Sequence, residues 1–244
     1  MKQVIQKQFY KPETKSYSNG LQVPLAFALW QHIVPDDEVQ NVMASFDRQI
    51  TVNQPYLGMG SSGLPVLLHF LAENRQWDDV VADHLTSESK PSYGYFLKLG
   101  ETAWPEYWAV DKPSRMHTCY TGISAWFIKC VAGIQPDPEN PGYQSFVIQP
   151  GIVRDLSWTE ASVESPYGKI VSSWKRQKNQ LQLVMVIPVN STATIYVPTT
   201  NLKNLTEGKH TALSSPGLTF ERMDGVYAVF HAESGRYQFT SDWK

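Results

Sequence analysis

Cysteine is nearly absent from this sequence, with only Cys119 and Cys130 in 244 residues. They stand eleven apart on a stretch that reads as one helix, a separation of ~16 Å of rise and far beyond disulfide reach. Two reduced core thiols are the expectation. No run of eighteen apolar residues occurs, so a membrane-spanning helix is not expected. The opening MKQVIQKQFYKPETKSY lacks the apolar centre of a signal peptide, as would any chain beginning inside a longer protein. Clustered basic charge is missing too: 21 Lys and Arg are scattered among 23 Asp and Glu, for a formal net charge of -2. Binding nucleic acid needs Lys and Arg gathered on one face, so neither nucleic acid nor a membrane is an expected partner.

The chain does have enough apolar content, 42% of its residues, to build one large domain or two ordinary ones. Before about residue 140 the apolar residues recur at helical spacing. LQVPLAFALWQHIV sets Leu21, Leu25, Ala28, Leu29 and His32 along one stripe, and LPVLLHFLAEN and WDDVVADHL repeat the pattern. Pro35-Asp36-Asp37-Glu38 predicts a helix start, with proline and acids in the first turn. A further helix is predicted from Thr118 to Val131, stopping at Gly133.

QPDPENPG, residues 135–142, reads as a linker, and beyond it the period falls from 3.6 to 2. In GKIVSSWKRQKNQLQLVMVIPVNSTATIYVP, β-branched and aromatic residues alternate with polar ones. Breaks fall at Lys178-Asn179, Pro188 to Asn190 and Pro198, and Asp224-Gly225 marks a hairpin turn. Pattern alone therefore predicts helices over residues 1–135 followed by an antiparallel β-sandwich over residues 143–244. The helical part holds about five or six helices at ordinary lengths.

The candidate chemistry centres on GETAWPEYWAVDKPSRMH, residues 100–117. Glu106 stands there among Trp104, Pro105, Tyr107 and Trp108, with Tyr93 and Tyr95 just upstream. One reading is a helix-start glutamate beside core tryptophans. The other is the acid of a sugar site, because sugar rings stack on aromatic faces while their hydroxyls bond to carboxylates and imidazoles. His117, with Arg115 two residues before it, is either a hydrogen-bonded structural histidine or a ligand contact. His69 falls in an apolar helix stripe and His84 near a helix end; neither joins a ligand-spaced set, so no metal or other cofactor is expected. YLGMGSSGLP has no P-loop spacing and Ser61 and Ser62 no nucleophile-elbow context, which leaves a loop entering a helix at Pro65.

Several segments, in order along nearly the whole chain, resemble the C-terminal part of glycoside hydrolase family 78, the bacterial α-L-rhamnosidases. These are FYKPETKSYSNGLQVPLAFAL, YLGMGSSGLPVLLHFLAEN, PSYGYFLKLGETAWPEYW, GISAWFIKCVAGIQPDPENPGYQSFVIQP and LSWTEASVESPYGKIVSSWKR. The resemblance implies the second half of an (α/α)6 toroid followed by a β-sandwich, and cleavage of terminal α-L-rhamnose with inversion. Inverting enzymes use an acid and a base roughly 6.5–9.5 Å apart, with the attacking water between. Counting from Gly100 to Trp108 without a gap sets Glu106 on the family's base and Trp108 on its closing tryptophan. His117 then matches a sugar-contacting histidine, and Tyr93 and Trp104 belong to the substrate-binding set.

Pro105 replaces the tryptophan usual before the base, Trp104 lies one place upstream of it, Tyr93 replaces a tryptophan, and Met116 replaces an asparagine. The family's general acid lies upstream of residue 1, so the chain alone is expected to show little rhamnosidase activity. The implied partners are a rhamnose-containing glycan or glycoside and an N-terminal half absent from this chain. Without that half, exposed apolar helix faces predict self-association. The reading from a different class is a non-catalytic carbohydrate-binding or structural module. A glycoside phosphorylase would need a phosphate-binding set in place of the base.

Overall fold

The computed structural model describes every residue except 54–55, 109–117, 155 and 244, together with the side chain of Cys119. The calls on Arg115, Met116 and His117 therefore lie outside the described residues. The chain divides into two compact units, Met1–Ile123 and Ser124–Lys244.

In the first unit the helices are α1 (Lys2–Phe9), α2 (Gln22–Trp30), α3 (Val39–Arg48), α4 (Leu64–Glu73), α5 (Asp78–Thr86), α6 (Tyr93–Lys98) and a short α7 (Thr118–Thr121). A two-residue pairing of β1 (Tyr10–Lys11) with β2 (Ser16–Tyr17) follows α1. The α2 sequence QVPLAFALW is apolar nearly all round, and Leu25, Ala26, Ala28 and Leu29 are buried where it meets α3 and α4. Phe46 on α3 packs edge-on against Phe70 on α4 and Trp77, with ring centres 5.0 and 4.8 Å apart. The buried Trp77 also donates its indole N–H to the Asp47 carboxylate at 2.9 Å.

Several helix ends differ from the pattern. α2 closes before His32, which takes a left-handed backbone (φ 50°) while the His32 and Ile33 N–H groups bond back to the carbonyls of Leu29 and Ala28. That cap normally favours glycine, so an imidazole there hides the stop. Pro35 to Glu38 form a turn rather than a first helical turn; α3 starts at Val39, and Glu38 pairs with Lys15 at 2.7 Å. His69 is not in the buried stripe of α4. It is exposed, with Nε2 3.1 Å from the Glu73 carboxylate and its ring packed at a tilt against Trp30.

The predicted Thr118–Val131 helix is broken. It comprises α7, a turn at Gly122, α8 (Ile123–Trp126) and a wider π turn over Phe127–Val131. The stop at Gly133 stands, and only glycine fits: φ is +79°, and a Cβ would lie 2.1 Å from the main chain of Gln149. Cys130 is a buried thiol.

The second unit is built on two sheets. Its strands are β3 (Ile134–Pro136), β4 (Ser145–Ile148), β5 (Trp158–Ser165), β6 (Gly168–Gln177), β7 (Gln180–Ile187), β8 (Thr192–Pro198), β9 (Thr206–Glu207), β10 (His210–Thr211), β11 (Leu218–Asp224), β12 (Tyr227–Ala232) and β13 (Gly235–Asp242). One sheet runs β10-β9-β13-β7-β6-β5 and the other β11-β12-β8-β4-β3. Alternate residues such as Leu181, Leu183, Met185 and Ile187 are buried between them, as the period of 2 requires.

The linker reading of residues 135–142 is overturned. Gln135 and Pro136 belong to β3, which pairs with β4, and Asp137 closes the turn by accepting from the Asn140 amide at 2.8 Å. Pro136 is tolerated because β3 is an edge strand. Among the described pairs one, β4 with β8, is parallel rather than antiparallel. The intervening β5–β7 meander lies in the other sheet, and an even number of reversals returns β8 in the direction of β4.

Candidate active site

Glu106 lies in the loop that follows α6, and the ends of α6 are fixed locally. Ser92 caps its start, accepting from the Tyr95 N–H at 3.0 Å and donating to the Ser87 carbonyl at 2.6 Å. Gly100, at φ +77°, ends it: the Gly100 and Glu101 N–H groups return to the carbonyls of Leu97 and Phe96. Gly94 allows α6 to touch α5, since a Cβ there would sit 2.3 Å from the Ser87 carbonyl oxygen.

The loop's rings turn inward onto this frame. Trp108 stacks on Phe96 with centres 5.4 Å apart and planes 14° from parallel. It meets Tyr120, His84 and Tyr93 edge-on at 4.7, 5.0 and 5.3 Å. Its indole N–H donates to the Met59 carbonyl at 3.0 Å, tying the loop to the glycine-containing segment before α4. Tyr93 contacts Trp104 at 5.1 Å and donates its hydroxyl to the Tyr120 carbonyl at 2.9 Å. Offset and edge-on geometries of this kind are the favoured ones for aromatic quadrupoles.

Burial sorts the predicted site residues. Tyr93 is 1% exposed and Trp108 8%, so neither presents an open ring face. Trp104 is half-buried, and Glu106 lies partly accessible between buried Pro105 and exposed Tyr107. Among the described residues nothing donates a hydrogen bond to the Glu106 carboxylate. Glu106 is thus partly accessible on a loop whose Trp104 and Trp108 rings are packed against Tyr93 and Phe96.

His84 is the member that sequence reasoning missed. It is buried edge-on against Tyr93 and Trp108, and its Nδ1 accepts a long 3.4 Å bond from the Leu57 N–H. Burial holds the imidazole down at about 4, so it is neutral near pH 7 and carries its proton on Nε2. That Nε2 has no partner among the described residues. The available signal was the spacing Trp77, Val81, His84, which puts the histidine on the buried face of α5.

The chain thus sets a partly accessible carboxylate beside packed aromatic rings, in a helical unit that precedes a unit of two β-sheets. Residues 1–131 match the bacterial alpha-L-rhamnosidase 6 hairpin glycosidase domain, and residues 133–212 match the bacterial alpha-L-rhamnosidase C-terminal domain. The chain belongs to the bacterial α-L-rhamnosidase family. It is 25% identical over 256 residues to an alpha-L-rhamnosidase of Formosa agariphila, an alignment covering 96% of this chain and 27% of that protein. With an alpha-L-rhamnosidase of Streptomyces avermitilis it shares 27% identity over 222 residues, 87% of this chain and 20% of that protein. The fold is similar to the structure of alpha-L-rhamnosidase from Dictyoglumus thermophilum, with a TM-score of 0.86, 24% identity, and coverage of 99% of this chain and 27% of that one. The chain thus spans about a quarter or less of the length of the curated relatives it matches.

Proposed function

We propose that this chain forms part of an inverting glycoside hydrolase that removes terminal α-L-rhamnose from a rhamnose-containing glycan or glycoside, with Glu106 as the general base. The observation that carries the reading is the partly accessible Glu106 carboxylate on a loop held by the Trp108 bond to Met59. A base must be kept still while it takes a proton from water, and locked flanking rings reduce the reorganisation this requires. Trp104, half-buried, is the ring available to meet the sugar directly, and His117 is assigned a hydroxyl contact. The buried Trp108 and Tyr93 shape the sugar site from behind the loop.

No residue of this chain is assigned the general acid, which protonates the leaving oxygen from across the attacking water at roughly 6.5–9.5 Å. Turnover by the chain alone is therefore expected to be slight. The test is hydrolysis of an aryl α-L-rhamnoside with calorimetric titration of L-rhamnose, each beside Glu106→Gln. Any turnover should fall by about 10²–10⁴-fold in the variant. Rhamnose binding without turnover supports a base and sugar contacts that lack their acid. Equal turnover in Glu106→Gln, or neither turnover nor binding, overturns the proposal.

A further inference from the structure

The outer face of the six-stranded sheet carries a cavity of about 330 Å³ across β5, β6 and β7. Trp158, the first residue of β5, forms one wall and is 62% exposed, whereas Trp174 on β6 is buried. The register fixes the rest of the lining. Trp158 lies opposite Lys175, which lies opposite Gln182; one row along, Glu160 lies opposite Ser173 and Ser173 opposite Val184. Side chains opposite one another in a sheet have Cβ atoms about 4.5–5.5 Å apart, so all of these groups border one concavity.

A solvated face on an antiparallel sheet is ordinary, and so is a lone exposed apolar side chain. Two features go beyond that. The polar groups around Trp158 are unspent: among the described residues the side chains of Glu160, Ser173, Lys175 and Gln182 make no hydrogen bond or ion pair. Further along the same two strands Glu164 lies directly opposite Lys169 and pairs with it at 3.7 Å, whereas Glu160 and Lys175 lie on a diagonal and do not pair. The second feature is charge. One cation and one anion line the concavity, which gives it no net preference for a charged ligand.

We propose that this face is a second carbohydrate-binding site, taking an uncharged pyranose unit of an oligosaccharide or polysaccharide. The apolar C–H face of the sugar lies on the Trp158 ring. Its hydroxyls are read by the Glu160 acceptor, the Lys175 donor and the two-way Gln182 amide. The volume lies near the lower end, about 300 Å³, of ordinary small-molecule sites, which suits one ring with its chain continuing along the surface. A partner protein surface would call instead for a larger and more apolar patch than one ring among four polar groups. The site is separate from the role given to Glu106.

The test is electrophoresis of the intact chain through native gels cast with soluble neutral polysaccharides of differing backbone, with sedimentation velocity of the same samples. Retardation is expected in at least one gel. Trp158→Ala should lower the apparent affinity by at least about tenfold, and Gln182→Ala should weaken it through an independent contact. Glu106→Gln should leave retardation unchanged, so failure of the catalytic reading leaves this result standing. No retardation in any gel, or retardation equal in Trp158→Ala and wild type, overturns the proposal. So does retardation lost in Glu106→Gln alone, which moves the binding to the aromatic loop. Self-association that Trp158→Ala abolishes, without sugar retention, assigns the face to a second copy and overturns it equally.

Discussion

Trp108 in the helical unit and Trp174 in the sandwich do the same job by different routes. Each is buried, and each sends its indole N–H to a main-chain carbonyl far away in sequence, Met59 at 3.0 Å and Val131 at 2.9 Å. Trp174 reaches its place by alternation along β6, opposite Leu183 and Thr159. Trp108 reaches its place in an irregular loop, where no period dictates direction and contacts with Phe96, His84 and Tyr120 decide it. A regular strand fixes a ring's direction by register, while a loop needs a ring cluster to do so. The loop arrangement leaves Glu106 accessible beside rigid neighbours, which a strand interior would not.

The comparison can be broken most strongly by truncation. Trp174→Ala should cost about 3–5 kcal/mol of stability by opening a cavity and stranding the Val131 carbonyl. Chemical denaturation read by hydrogen exchange, which resolves the two units, measures it. A cost below about 1 kcal/mol would show that the sandwich does not depend on register at this ring.

Acid should separate the two units next. The His84 imidazole is depressed in the folded state to about 4, below an unfolded value near 6.5, so between those pH values the unfolded chain binds more protons. The stability this histidine contributes is complete above about pH 6.5 and is lost as pH falls toward 4, by about 3 kcal/mol in all. Hydrogen exchange in α5 and α6 should rise across that window, and His84→Gln should flatten the dependence. A profile as steep in the variant would show that another group titrates there.

The smallest effect concerns the frame of the loop. Ser92→Ala removes the α6 cap and should cost about 1 kcal/mol. Protection is expected to fall first at Tyr93 to Phe96, with the sandwich unchanged. Equal loss in both units would mean that the aromatic loop is not a locally anchored element.

The sandwich was the more legible unit because its signals are local. The two-residue loop Lys178-Asn179 joins β6 to β7 as the break predicts, with Lys178 at φ 55°. The Asp-Gly turn is displaced by one place: Asp224 pairs with Tyr227, leaving Gly225 and Val226 as the loop. In the helical unit the apolar stripes located α2, α4 and α5, but His32 concealed a cap and Pro35 to Glu38 announced a helix one turn early. The candidate site was half legible. Ring density around Glu106 could be counted along the chain, yet the participation of His84, Tyr120 and the Met59 carbonyl required segments far apart in sequence to meet.

By itself the sequence determined the change from a period of 3.6 to one of 2, most strand turns, and the gathering of aromatics about one carboxylate, because these follow from neighbouring residues. Tertiary structure alone decided that residues 135–142 enter the β3–β4 hairpin, that β4 and β8 run parallel, and that Tyr93 and Trp108 are buried while Trp158 is open. The physical reason is the same throughout: burial and pairing depend on which distant surface each segment meets, and that surface is not written in the segment itself.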